Sequence, residues 1–158
     1  MKYKEDNKPG NYSKGRTIHP RGIVAHHTGD YSRQSIEATF CDPTSNKSAH
    51  VVIWKDGSRT TFVQDTLRAW HAGESSFKGE PNCNNFMLGV EFHGDTNKEP
   101  LTTDQVSSFI EWVQPRVLKY RLHKGSLTDH RTIAPGRKVD INENELKKLL
   151  TLTNYIFL

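Results

Sequence analysis

The chain has 158 residues, 34% of them hydrophobic and 9% aromatic, and a formal net charge of +4; one domain can bury a proper core, and neither a disulfide nor a metal is needed merely to fold. A mean hydropathy of -0.74 and the lack of any apolar run approaching about 20 residues exclude a membrane-spanning helix. The Lys and Arg residues are interleaved with acids along the chain, so the basic excess does not form the cationic stripe that a phosphate backbone selects for.

Residues 1–20 are rich in Lys, Gly, Asn and Pro without periodicity and are expected to form an N-terminal arm, mobile or wrapped on the surface, with the domain proper over residues 21–158. No apolar stretch follows the N-terminal charges, so no secretory leader is expected. RGIVAHHTG then reads as a buried strand ended by Gly29, and Ser32 to Phe40 as a short helix stopped at Asp42-Pro43. AHVVIWKDGSRTTFVQD reads as a hairpin, with β-branched and aromatic residues on either side of an Asp56-Gly57 turn.

Arg68 to Asn85 reads as a loop with Gly73, Gly79 and Pro81, and FMLGVEFHG as a second central strand. Thr102 opens the clearest helix, with Gln105 completing a capping box and Val106, Phe109, Ile110 and Val113 at helical spacing. Pro115 is expected to kink or interrupt it before Arg116 to Leu122. A polar loop, TDHRTIAPGRKVD, follows, and Glu143 to Leu150 closes the chain as a last helix. Strands and helices alternate around one hairpin, which predicts an α/β domain with a central mixed β-sheet flanked by helices. Cys41 and Cys83 are too few for a disulfide framework and read as free thiols.

The polar loop places His130, Lys138 and Asp140 around Pro135-Gly136. A zinc site needs at least three N, O or S ligands, of which this loop can supply two. The best donor of a third is GIVAHHTG, where alternation sends His26 and His27 to opposite faces. His71 lies in AWHAG beside Trp70, and Glu91 sits in the apolar strand GVEFHG, where a carboxylate is costly to bury unless paired or functional. Residue chemistry alone thus allows a His-His-Asp metal site with an acidic and a basic helper, and equally allows these groups to lie apart, since no short HExxH or CxxC signature is present.

The ordered series IVAHHTG, SAHVVIWKDG, AWHAG, NNFMLGVEFHG and DHRTIAPGRKVD resembles the zinc-dependent N-acetylmuramoyl-L-alanine amidases of the amidase-2 type, a family that embraces AmpD-like enzymes, phage amidases and peptidoglycan recognition proteins. The resemblance runs from about Gly22 to Asp140 and implies one Zn2+ per chain held by His26, His130 and Asp140. It also implies Glu91 as the acid/base carboxylate and Lys138 as a cation near the reacting carbonyl, with His50, Trp70, His71, Asn84 and Asn85 along the substrate cleft. The chain departs from the family after Asp140, where Ile141-Asn142 replaces the usual Pro-Gly, and at Ala49, where some relatives carry a tyrosine.

The implied reaction is hydrolysis of the amide between N-acetylmuramic acid and L-alanine in peptidoglycan or its muropeptide fragments. Such a protein is expected to act as a monomer, with no nucleic-acid partner and no membrane insertion, in the cytoplasm or delivered to the cell wall by a phage or a non-classical route. Two rivals remain at the level of sequence. One is a non-catalytic peptidoglycan-binding module of the same fold, and the other a small basic nucleic-acid-binding protein with structural histidines.

Overall fold

The computed structural model describes residues 1–158, the side chains of residues 14 and 15 excepted. The sequence GIVAHH forms β3 (Gly22–His27), flanked by β9 (Met87–Phe92) and β10 (Leu127–Asp129). The hairpin around Asp56-Gly57 forms β4 (Val51–Ile53) and β5 (Arg59–Thr61), and the arm adds β1 (Glu5–Asn7). These six strands make one mixed sheet in the order β1-β5-β4-β9-β3-β10. Only the β4-β5 pair is antiparallel. β4, β9, β3 and β10 therefore run side by side in one direction, and their C-terminal ends open on one edge of the domain, where α/β sheets place their ligands.

Alternation sorts the sheet into two faces. Ile23, Ala25, Val51, Ile53, Leu88, Val90 and Phe92 pack with Phe109, Trp112, Val113 and Val117 of α2 (Thr103–Tyr120) in the main core. The opposite face carries Val24 and Met87 against Ile133, and Val52 against Ile36 and Phe62. Ile36 comes from α1 (Arg33–Cys41), capped by Ser32, and Ile133 from α3 (His130–Ile133), capped by Asp129. The last helix, α4 (Glu143–Thr153), is capped by Asn142 and sends Leu149 into the main core.

Thr102 and Gln105 form the expected capping box. Pro115, however, lies inside α2 without ending it. Its position is exposed, so the carbonyl that loses its partner can turn to water, while the buried stripe of Phe109, Trp112, Val113 and Val117 holds the helix on the sheet.

The arm is wrapped on the domain. β1 pairs in parallel with β5, and β2 (Tyr12–Thr17) pairs with β6 (Leu67–Ala69) in a separate two-stranded sheet. Arg59, 2% exposed, fastens the first of these. Its guanidinium reaches Glu5 at 2.8 Å and Glu111 at 2.9 Å, and donates to the Ser108 hydroxyl at 3.1 Å. The segment read as a loop holds β6, the small hairpin β7 (Ser76–Phe77) and β8 (Glu80–Pro81), and a 3-10 turn at Cys83–Asn85.

Candidate metal centre and cleft

Three side chains converge at the open ends of the parallel strands. His26 is the penultimate residue of β3, on the face of Val24, His130 opens α3 directly after β10, and β10 lies beside β3. Asp140 returns from the end of the polar loop. It is held by its own carbonyl, which accepts from Arg131 N–H at 2.6 Å, and by the Asn142 N–H two residues on, which donates to Thr96 Oγ1 at 2.8 Å. One donor atom from each of His26, His130 and Asp140 lies within 4.8 Å of the others, and all three residues are buried.

The hydrogen bonds fix which ring nitrogens are free. His71 Nε2 lies 3.0 Å from the Met87 carbonyl, which can only accept, so this nitrogen carries a proton. Burial, then the neighbouring His26, push the His71 pKa well below its ordinary value, so the ring is neutral and Nδ1 is an acceptor. It accepts from His26 Nε2 at 3.0 Å. Burial also lowers His26 to about 4, which leaves its Nδ1 as a bare lone pair. His130 Nε2 likewise donates to the Ala72 carbonyl at 3.2 Å, so in the neutral ring Nδ1 is again the free nitrogen.

The two free Nδ1 atoms face each other at 3.0 Å, and the Asp140 carboxylate lies 3.3 Å from His130 Nδ1 and 3.5 Å from His26 Nδ1. With both rings carrying their proton on Nε2, three electron-pair donors meet. That arrangement repels unless a cation sits between the donors, and the spacing suits one. Tetrahedral bonds of about 2.0–2.1 Å put neighbouring ligand atoms roughly 3.3–3.4 Å apart. The donor set therefore fits a zinc-like ion, and two imidazoles with one carboxylate leave a fourth position for water or substrate.

Glu91 stands beside this cluster. It is the register partner of His26 on β9, so both side chains leave the same face. Its Oε2 is buried and has no hydrogen-bond partner. Burial, then the charge of Asp140, raise its pKa well above the carboxylate norm, with Lys138 opposing. Glu91, His130, Lys138 and Asp140 line one cavity of about 500 Å³ with Trp70 and His71.

Other residues expected along the cleft take different places. His50 Nδ1 accepts from Gly89 N–H at 2.9 Å and Nε2 donates to the Leu67 carbonyl at 2.9 Å. Both nitrogens are spent on backbone, and the ring, 1% exposed, does not line the cavity. Asn84 is buried, and its Oδ1 accepts from His71 N–H at 3.1 Å and Ala72 N–H at 2.8 Å. Asn85 is exposed and off the cavity wall. Conversely, Tyr31, Lys47 and Arg137 line the cavity without having been singled out. Arg137 sits next to Lys138 in the polar loop, and that adjacency was the available signal. Tyr31 and Lys47 lie in segments that carry no motif.

The fold and the donor cluster together define an amidase-2 protein. Residues 15–143 match that family, described as N-acetylmuramoyl-L-alanine amidase, and the chain belongs to it. It is similar to the 1,6-anhydro-N-acetylmuramyl-L-alanine amidase AmpD of Haemophilus influenzae, 38% identical over 94 residues that make up 59% of this chain and 50% of that protein. The AmpD of Enterobacter cloacae is 37% identical over 93 residues, 59% of this chain and 49% of that protein. The chain thus spans about half the length of the curated relatives it matches. Among solved structures, a selenomethionine AmpD derivative superposes with a TM-score of 0.76 at 25% identity, covering 94% of this chain and 95% of that one. The amidase AmiD of E. coli, in complex with anhydro-N-acetylmuramic acid-L-Ala-D-gamma-Glu-L-Lys, superposes with a TM-score of 0.72 at 20% identity, covering 87% of this chain and 60% of that one.

Proposed function

We propose that this protein hydrolyses the amide between N-acetylmuramic acid and L-alanine in peptidoglycan fragments, using one Zn2+ held by His26, His130 and Asp140. The observation that carries the reading is the meeting of two imidazole Nδ1 atoms and a carboxylate beside Glu91, whose Oε2 is buried and unpartnered, in one cavity. Its family and its likeness to AmpD give the substrate class.

Zinc bound there would supply a Lewis acid and bring the pKa of water down to about 7. Glu91, as carboxylate, takes the proton of the attacking water and then delivers it to the departing L-alanine amine. Its poor solvation favours that transfer, because a raised pKa brings the group closer to working pH. The Lys138 ammonium, on the same cavity wall, stabilises the oxyanion of the tetrahedral adduct. Trp70 offers an apolar ring to the sugar, and Lys47 and Arg137 offer positive charge to carboxylates of the stem peptide. The chain acts as a monomer on this reading, and no described helix is long and apolar enough to cross a membrane.

The test is elemental mass spectrometry of the purified protein together with hydrolysis of a muramoyl-peptide before and after chelation. About one zinc per chain is expected, with turnover lost on chelation and restored by zinc. A zinc-replete protein with no turnover would leave a binding module of the same fold.

A further inference from the structure

The two histidines of the donor cluster come from distant parts of the chain, yet their outward nitrogens end on consecutive residues. His26 Nε2 donates to His71 Nδ1 at 3.0 Å, and His130 Nε2 donates to the Ala72 carbonyl at 3.2 Å. One dipeptide thus decides which nitrogen each ring turns inward. We propose that His71-Ala72, clamped by Asn84, is the positioning element of the metal centre. It holds both imidazoles in the Nε2–H tautomer so that both Nδ1 lone pairs are presented to the ion.

The dipeptide is fixed from three sides. A single oxygen, Asn84 Oδ1, accepts both of its amide protons. The far side of the His71 ring is tied to the Met87 carbonyl, and the ring lies on the bare backbone of Gly89, where an added Cβ would come within 2.4 Å of its Cγ. Arg137 donates to the same Ala72 carbonyl at 2.8 Å, beside His130. Asn84 is held in turn by a loop that closes on itself, since Asn82 N–H donates to the Ser75 carbonyl at 2.9 Å and Cys83 N–H to the Ser75 hydroxyl at 3.2 Å.

Without the His71 acceptor, His26 gains nothing from an Nε2 proton. An Nδ1 proton could then bond Asp140 and would have to be removed before the metal bound. The role is toward the ion, not toward substrate. It gives His71, which also lines the cavity, a task behind the ligands, and it places Asn84 wholly in that layer. The proposal rests on reading the cluster as a metal site and on nothing about the substrate.

The test uses the full chain and zinc alone. Histidine ring tautomers are read by 15N–1H correlation spectroscopy of the metal-free protein, and zinc affinity by competition with a chromophoric chelator. Wild type is expected to show Nε2–H at His26, His71 and His130. His71→Phe and Asn84→Ala should each weaken zinc binding by about tenfold to a hundredfold. His71→Gln and Asn84→Asp, which keep the acceptor oxygens, should recover most of that loss. Thermal unfolding of each metal-free variant separates a loss of fold from a loss of affinity, because a merely structural role would lower the midpoint without changing the His26 tautomer. His26 protonated at Nδ1 in wild type, or variants that bind zinc as tightly as wild type, would overturn the proposal while leaving the metal site intact. A wild-type protein that binds no zinc would overturn both.

Discussion

His26 and Glu91 are register partners on neighbouring parallel strands, and their side chains leave the same face of the sheet side by side. The hydrogen-bond ladder that pairs β3 with β9 thereby sets the distance from the proposed ligand to the proposed acid/base group, with no flexible loop between them. Such placement on rigid elements favours reproducible proton transfer.

Replacing Glu91 by Gln keeps the shape and removes the proton carrier. We expect kcat to fall by about a hundredfold to ten-thousandfold with zinc content unchanged and stability the same or higher, because a buried, unpartnered carboxylate oxygen becomes a neutral group. Steady-state kinetics and metal analysis on one preparation decide it, and full activity in the variant would remove Glu91 from the reaction.

Lys138→Met removes the cation from the cavity wall while keeping its length. The expected loss in kcat is on the order of a hundredfold to a thousandfold, with zinc affinity close to wild type. A rise in KM at constant kcat would instead give Lys138 a binding role without transition-state stabilisation.

His50 should make stability depend on pH. Burial lowers its pKa in the folded protein from 6.5 to about 4, with the nearby Asp65 and Arg116 acting in opposite directions. The neutral ring is therefore favoured in the native state. Its contribution is complete above pH 6.5 and is lost as pH falls from 6.5 to about 4, where the unfolded chain binds a proton that the folded chain refuses. The loss amounts to about 3 kcal/mol. Denaturant unfolding from pH 7 to pH 4, compared with His50→Gln, should show a shallower pH slope in the variant by that amount. Parallel slopes would mean that His50 is already accessible in the native protein.

Arg59 is buried between two carboxylates on different elements, Glu5 of β1 and Glu111 of α2. Arg59→Ala should cost about 2 kcal/mol, by emptying a buried site and removing the shared cation of two part-exposed carboxylates, and residues 1–8 should become the most accessible stretch to limited proteolysis. Arg59→Met should cost less, since it refills the volume. Equal proteolysis of wild type and Arg59→Ala would show that backbone pairing alone holds the arm.

The main strands were legible because their signals are local: GIVAHH and MLGVEF are apolar runs, and VVIWKDGSRTT has its turn residues in place. β1 was not, since Glu-Asp-Asn has no strand character and forms only because β5 offers an edge and Arg59 offers charge. The donor residues could be picked by type, but their meeting depends on β10 lying beside β3, a pairing across roughly a hundred residues that no periodicity encodes. The resemblance supplied the grouping. It did not separate residues that face the cavity from those behind it. That distinction turns on hydrogen bonds such as His50 to Gly89 and Asn84 to Ala72, which exist only once the sheet and the 71–84 loop are in place.

The pairing of β10 with β3 has a consequence for synthesis. One donor lies at residue 26 and the others at residues 130 and 140, so a nascent chain emerging from the ribosome carries the first through most of its elongation without the partners that would make it a ligand set. No truncated product lacking residue 140 holds all three. Any metal binding by this set is thereby confined to chains elongated past residue 140, and the order of the strands ties assembly of the donor cluster to completion of the central sheet.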